Sequence, residues 1–357
     1  MGRSQKQGAV AENTAAGGEV YYRLPRTTEV VHLTSRELPL CLSAAIDAPP
    51  RRGFLVEPFV PSAATPLCYF VADTWEIIDL SAVAPPHLTA HYAPDSGKAD
   101  YVRAFAAVQE VLRAQRCDKV VLARQMAVTH DALTSQQQVA LFAEACRAYP
   151  ESFVCLFSSS VTGTWLIATP EILLSASPDG TAQTMALAGT MPIGDSDKPW
   201  SEKNKHEHAV VVDYLCRVLA PCCSRVAHTK PYTVAAGSVV HLRTDFSLTL
   251  CSDCAALAVA ERLHPTPAVC GQPTVAALRA IVAAEPCPRA YYSGYAGPCD
   301  PEQGTHLFVT LRCAHLADTA PTHTTLFAGG GIMPDSNCAD EWAETQHKLR
   351  TILQLFS

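Results

Sequence analysis

The hydrophobic and polar positions divide the chain into a weakly patterned first third and a sharply patterned remainder. Up to about residue 98 the sequence is rich in Pro and Ala, and only the apolar runs 67–72 and 75–80 read as strands. From Ala99 the periodicity sharpens. Residues 101–115 carry Val102, Phe105, Ala106, Val108 and Leu112 at helical spacing, which predicts an amphipathic helix. Short β-rich runs follow at 119–128, 152–157, 164–168, 172–175 and 184–187. A helix is predicted from Ser201 to about Leu219, with Val211, Val212, Leu215, Val218 and Leu219 on one face. Strands return at 232–241 and 246–250, a helix is predicted near 274–284, and 306–315 and 324–328 read as strands. Residues 340–355 form a closing helix. Because strands come in consecutive groups, without strict alternation with helices, the predicted class is α+β with large antiparallel sheets.

Composition narrows the function classes. About half the chain is hydrophobic and its formal net charge is -7. It can bury a large core, and it has no electrostatic reason to seek nucleic acid or an anionic membrane. The fifteen cysteines are scattered and odd in number, which is not a secreted disulfide framework; most read as small buried hydrophobes in a reducing compartment. Cys251 and Cys254 form one C-x-x-C, but no second pair in the sequence supports zinc or redox use. No run approaches transmembrane length, and residues 1–18 lack the apolar segment of a secretory signal. The expected organisation is a disordered tail over 1–18, an N-terminal part of the fold without functional signal over 19–98, and a chemistry-bearing region over 99–357. The expected compartment is the cytoplasm.

A few polar residues stand out from this apolar background. Glu207 lies in SEKNKHEH, early in a helix, where it is either a solvated helix start or a ligand. Glu341, Glu344 and Lys348 share one face of the last helix, either as a surface pair or as part of a site. Lys119 opens a strand, where lysine usually faces solvent. Gly189 with Thr190, and Gly329 with the next two glycines, end strands where glycine permits either a bulge or a ligand's close approach. Arg312 reads as a mid-strand cation among apolar neighbours, either on a solvent face or awaiting a carboxylate. The three consecutive glycines are not a P-loop, because no Gly-Lys-Ser/Thr follows.

In chain order these signals belong to nine blocks: KVVLARQ (119–125), TPEILL (169–174), ALAGTMP (186–192), SEKNKHEH (201–208), VVHLRTDF (239–246), LHPTPAVCGQP (263–273), RAYYSGYAG (289–297), LFVTLRCAHL (307–316) and LFAGGGIMPDSNCADEWAETQHK (326–348). Together they resemble the chorismate-binding enzymes. That family includes isochorismate synthases, salicylate synthases, and the large subunits of anthranilate and aminodeoxychorismate synthases. The resemblance covers roughly two-thirds of the chain and excludes residues 1–98. It implies a single α+β unit with a deep central site that takes chorismate. It also implies Mg²⁺ held by Glu207 and Glu344, with Glu341 close by, and an ion of this kind accepts oxygen ligands while keeping several waters. Arg312 and Lys348 match positions that bind the enolpyruvyl side, helped by backbone near Gly189 and Gly329, and His241 matches a site-lining histidine.

Within the family the nucleophile decides the product. A lysine base matching Lys119 and a glutamate acid matching Glu171 imply water addition, with isochorismate synthase the closest member. Such a base needs a lowered pKa from burial or nearby positive charge, and such an acid a raised one. Salicylate synthase, which goes on to eliminate pyruvate, shares these groups and is the alternative. Aminodeoxychorismate synthases carry a lysine just before the glycine of their P-I-K-G-T block. Here the interval is Ala186-Leu187-Ala188-Gly189, with no amine. Ammonia-using members, which lack the lysine base, fit less well, and no glutamine amidotransferase partner is expected. One departure is SNCADEW, where Asn337 and Cys338 are unusual before the last helix.

Overall fold

The computed structural model describes residues 17–42, 51–236, 239–316 and 323–356. Of the expected N-terminal tail, residues 1–16 lie outside the described residues, while Gly18 already opens the first strand, Gly18–Arg23. The architecture is α+β. Two ten-stranded sheets, antiparallel at every described pairing, pack face to face and carry helices on their outer sides.

One sheet runs in the spatial order Gly271–Gln272, Lys119–Thr129, His323–Ile332, Cys313–Leu316, Gly163–Thr169, Phe153–Ser159, Gly18–Arg23, Val30–Ser35 and Thr74–Ile78, with His91–Tyr92 also paired to Lys119–Thr129. The other runs Cys223–His228, Val239–Leu250, Thr181–Pro192, Ile172–Ala176, Gly304–Val309, Tyr295–Asp300, Gly53–Glu57, Leu67–Val71 and Leu40–Leu42, with Tyr232–Ala236 also paired to Val239–Leu250. The weakly patterned first third therefore adds four strands to the first sheet and three to the second. Gly18–Arg23 pairs with Phe153–Ser159, and Gly53–Glu57 with Tyr295–Asp300.

Both faces of these strands are buried, and successive residues serve different cores. Val20 and Tyr22 point between the sheets, where they meet Phe54, Phe70, Phe153 and Phe308; the Phe153 and Phe308 rings stack at 4.1 Å. Tyr21 points outward, against Phe142. Six helices complete the layers: α1 (Lys98–Arg113), α2 (Ser135–Ala148), α3 (Glu202–Leu219), α4 (Ala256–Leu263), α5 (Thr274–Ala284) and α6 (Cys338–Leu353). α3 and α4 cover the second sheet, α2 and the end of α6 the first, and α1, α5 and the start of α6 cover the Lys119–Thr129 edge.

Three readings of the pattern change. The run 306–315 is two strands, Gly304–Val309 and Cys313–Leu316, and Arg312 sits in the break with φ 48°. It is a strained corner residue, not a mid-strand cation. The break between 232–241 and 246–250 falls earlier, so that Val239–Leu250 is one continuous strand. α2 and α4 escape the periodicity reading. Yet α2 carries a complete capping box, in which the Thr134 hydroxyl accepts from Gln137 N and the Gln137 side chain accepts from Thr134 N. Asn337, one of the unusual residues before the last helix, caps α6 by accepting from Ala339 N and Asp340 N.

All fifteen cysteines are free thiols, and eight are buried. Among the described residues no helix is long and apolar enough to cross a membrane.

One carboxyl works against the fold. Glu57 is 7% exposed, its Oε2 has no partner, and burial together with nearby Glu261 pushes its pKa up to about 7. Its unfolded pKa is about 4.3. Because the folded value is the higher one, the unfolded chain releases the proton first and stability falls between those two pH values. Glu57→Gln should therefore stabilise by an amount that grows from roughly pH 4.3 to about 7 and then levels off, amounting to a few degrees in melting temperature at pH 8. Thermal unfolding of both proteins at several pH values checks this; a pH-independent difference would contradict it.

Candidate active site

The chemistry-bearing residues meet between the sheets, at the end where Lys119–Thr129 lies beside His323–Ile332. Strand alternation turns Lys119, Val121 and Ala123 toward the inter-sheet space, while Val120 and Leu122 join the core under α1 and α5. Lys119 is fully buried, not solvent-facing, and its Nζ lies 2.9 Å from Glu207 Oε1. This is an ion pair without good hydrogen-bond geometry, so the Nζ is under-satisfied. Of the two surroundings expected for such a base, burial or nearby positive charge, burial is present, and the charge beside the amine is a carboxylate.

Glu207 comes from α3, whose start is fixed by Ser201 Oγ accepting from Asn204 N at 3.1 Å. It is buried, so the reading as a solvated helix start does not hold. Burial alone would raise its pKa, but Lys119, with Lys348 and Lys203 beyond, holds the carboxyl below its usual range. On α6, Glu341, Glu344 and Lys348 share the inward face. Glu341 is 2% exposed, and Lys348 Nζ reaches Glu344 Oε1 at 2.7 Å and the Gly329 carbonyl at 2.8 Å. The expected i,i+4 pair exists, but it borders the cavity instead of the surface.

The glycine run passes between these carboxylates. A side chain on Gly331 would overlap Glu207 Oε1 and lie 2.9 Å from Lys119 Cε, while one on Gly330 would lie 3.3 Å from Glu344 Oε1 and 3.4 Å from Glu341 Oε2. Only bare backbone separates Glu207 from Glu341 and Glu344.

The opposite wall holds Arg312, His241, Gly189 and Thr190. His241 sits in Val239–Leu250 across from Thr190, with a bulge at Gly189 (φ 75°). Arg312 Nη2 donates to His241 Nε2 at 2.9 Å, so the proton of the neutral ring is on Nδ1, which donates to the Gly189 carbonyl at 3.1 Å and lies 3.2 Å from Thr190 Oγ1. Burial, then Arg312 and Lys348, hold the His241 pKa well below its ordinary value. Arg312 is itself buried.

Glu171 opens the Ile172–Ala176 strand and is buried in the same cavity. Burial pushes its pKa up to about 8 despite Lys119, Lys348 and Arg312, so it carries a proton at neutral pH. The arrangement can donate a proton from Glu171, hold anionic groups at Arg312 and Lys348, and offer hard oxygen donors at the glycine run.

The family model described as "Chorismate binding enzyme" matches residues 74–357. The chain belongs to the chorismate-binding enzyme family. It is 35% identical over 250 residues to isochorismate synthase EntC of Escherichia coli (strain K12), covering 67% of this chain and 62% of that protein, so it spans under two-thirds of that relative's length. It is 34% identical over 275 residues to putative isochorismate synthase MenF of Mycobacterium tuberculosis, covering 71% of this chain and 72% of that protein. Among solved structures, the putative 2,3-dihydroxybenzoate-specific isochorismate synthase DhbC from Bacillus anthracis superposes with a TM-score of 0.81 at 24% identity, covering 96% of this chain and 97% of that one. Anthranilate synthase component I from Streptococcus pneumoniae superposes with a TM-score of 0.68 at 16% identity, covering 98% and 95%. At these identities the structural likeness shows the chorismate-binding fold.

Mg²⁺ suits the donors present in this chorismate-binding chain. Among the described residues no three His, Cys, Asp or Glu side chains converge to enclose an ion unaided. Mg²⁺ does not require that, since one or two carboxylates plus substrate oxygens suffice. Glu207, Glu341 and Glu344 are all-oxygen donors around backbone kept bare by glycine.

The motif reading passed over two supports. Lys203, inside SEKNKHEH, pairs with Glu341. Arg289 and Glu285, both buried, bind backbone on two elements. Arg289 donates to Val121 O (2.8 Å) and Val269 O (2.7 Å), and Glu285 accepts from Ala123 N (2.8 Å), tying the Lys119 strand to the loop before Gly271. Their i,i+4 spacing was a signal, but such spacing suits surface pairs equally well.

Gly331→Ala should break the Lys119–Glu207 contact without disturbing the sheets. We expect at least a 10²-fold loss in kcat/KM with a far-UV spectrum like the wild type's; near-normal activity would show that the contact tolerates displacement.

Proposed function

We propose that this chain is an isochorismate synthase, converting chorismate to isochorismate. The observation that carries this reading is a buried carboxyl, Glu171, whose pKa is raised to about 8, in one cavity with Glu207, the carboxylate that lies 2.9 Å from the amine of Lys119. The cavity's other cations, Arg312 and Lys348, suit a substrate with two carboxylates, and ALAGT supplies no competing amine. Water is then the nucleophile.

Lys119 takes a proton from water as the water oxygen bonds to C2. Both ring double bonds shift, C1=C2 to C1=C6 and C5=C6 to C4=C5, and the C4–oxygen bond breaks, while Glu171 delivers a proton so that the hydroxyl leaves as water. One water enters and one departs, and return of the proton from Lys119 to Glu171 resets the pair. Lys119 acts as a base only when neutral. The carboxylate beside its Nζ, at 2.9 Å, is Glu207. Arg312, oriented by neutral His241, and Lys348 hold the enolpyruvyl side. Glu207 and Glu344 would hold Mg²⁺, with Glu341 beside them, and when bound the ion supplies positive charge to the ring carboxylate. A water nucleophile needs no glutamine amidotransferase, and fifteen free thiols suit the reducing cytoplasm.

With chorismate and Mg²⁺, isochorismate should accumulate without stoichiometric pyruvate, and EDTA should abolish turnover reversibly. Salicylate and pyruvate formed together from the first turnovers would identify a salicylate synthase instead.

Lys119→Ala and Glu171→Gln should each lose roughly 10²- to 10⁴-fold in kcat, in both directions of the isomerisation. The double variant should be far less than multiplicatively worse. In the wild type, kcat/KM should fall as pH rises through about 8, where Glu171 ionises. A profile flat past pH 9 would exclude Glu171 as the acid.

A further inference from the structure

Three carboxylates meet three ammonium groups one to one around the glycine run: Glu207 with Lys119, Glu344 with Lys348, and Glu341 with Lys203. Two of these lysines have other work. Lys119 is the proposed base, and Lys348 also donates to the Gly329 carbonyl. Among the described residues Lys203 has one polar partner, Glu341. It lies one turn before Glu207 on α3, yet it crosses to α6, and its side chain is 25% exposed above a Glu341 that is almost wholly buried. Glu341 Oε1 also accepts from Ser336 Oγ at 2.6 Å, so that oxygen is already shared by two donors. Although burial opposes its charge, the summed attraction of Glu341, Glu207 and Glu344 pushes the Lys203 pKa up. Lys203 thus feels all three carboxylates.

We propose that Lys203 sets the affinity of this site for its divalent cation, by competing with the cation for Glu341 and for the combined negative charge of Glu207, Glu341 and Glu344. An ion drawing on these oxygens must displace the ammonium or sit beside it, and either way Lys203 weakens binding. Ion and ammonium are alternative counter-charges for one carboxylate cluster. The inference rests on the metal reading above and adds to it the residue that tunes the metal.

The test is Mg²⁺ titration of the full chain by calorimetry, with thermal unfolding in EDTA and in Mg²⁺, for wild type, Lys203→Met, Lys203→Gln and Lys203→Arg. Removing the charge should tighten Mg²⁺ binding roughly tenfold or more, given the strength of charge interactions across a few ångströms. Lys203→Met and Lys203→Gln should also melt lower than wild type in EDTA and gain more from Mg²⁺, because their carboxylates then repel one another unopposed. Lys203→Arg keeps the charge and should bind Mg²⁺ as wild type does. A lysine that merely braces α3 against α6 would show lower melting temperatures with unchanged or weaker Mg²⁺ affinity, and that result overturns the proposal. Should Lys203→Met fail to fold, Lys203→Gln decides by the same readout. Equal Mg²⁺ affinity in wild type and the uncharged variants sinks this inference alone. No Mg²⁺ uptake by any of the proteins, together with EDTA-insensitive turnover, sinks the metal reading and this inference with it.

Discussion

A lysine with no exposed surface needs a counter-charge within reach, and the Lys119–Glu207 contact supplies it. At an effective dielectric constant of about 20 the attraction at this distance is about 6 kcal/mol, comparable with the several kcal/mol lost in desolvating each ion. The pair therefore adds little net stability, while removing either member would leave an unpaired buried charge at a cost of about 3–5 kcal/mol. Its importance is geometric. It fixes an amine on one sheet edge against a carboxylate on α3, and the glycine strand between α3 and α6 must stay bare for the two to meet. The other charged groups of the site are arranged around this contact.

The cavity consequently has two electrostatic ends. At the glycine run, three carboxylates and three lysines balance locally, and that balance shifts with any added cation. At the far wall, Arg312 has no carboxylate in ion-pair range among the described residues and His241 is held neutral, while Lys348, although paired with Glu344, lines the same cavity, so that end is poised for negative charge. Glu171 sits within the field of these cations yet stays protonated, because burial outweighs them. One buried cavity thus shifts the Glu171 and Glu207 pKa values in opposite directions. Burial is common to both; contact with Lys119 is what differs.

Much of this was legible in the sequence. The strands flanking the site are apolar runs punctuated by glycine, and the α3 and α6 motifs bring their carboxylates to the inward face at the spacing a helix requires. What the sequence hid is of three kinds. Lys119, Glu207 and Glu341 look like ordinary surface charges, because one-dimensional pattern carries no information about what covers them. Arg312 looks like a strand residue, because its left-handed backbone is set by the tertiary break between two strands of different sheets. Gly18–Arg23 and Gly53–Glu57 escape notice, because strands buried on both faces lose the alternation that normally reveals them. The capping box at Thr134 was a readable signal overshadowed by the search for apolar periodicity.

The strands contributed by that first third bear on how the chain can be divided. Gly18–Arg23 and Gly53–Glu57 are interior members of their sheets, although the family match begins only at residue 74. Cut away, they would leave Phe153–Ser159 and Tyr295–Asp300 as raw edges, each a row of unanswered peptide donors and acceptors beside newly bared phenylalanines. Edges of that kind pair with whatever strand they meet, including copies of themselves. The region that holds every proposed reactive group therefore has its two sheets completed by a segment that lends no residue to the lining of the cavity.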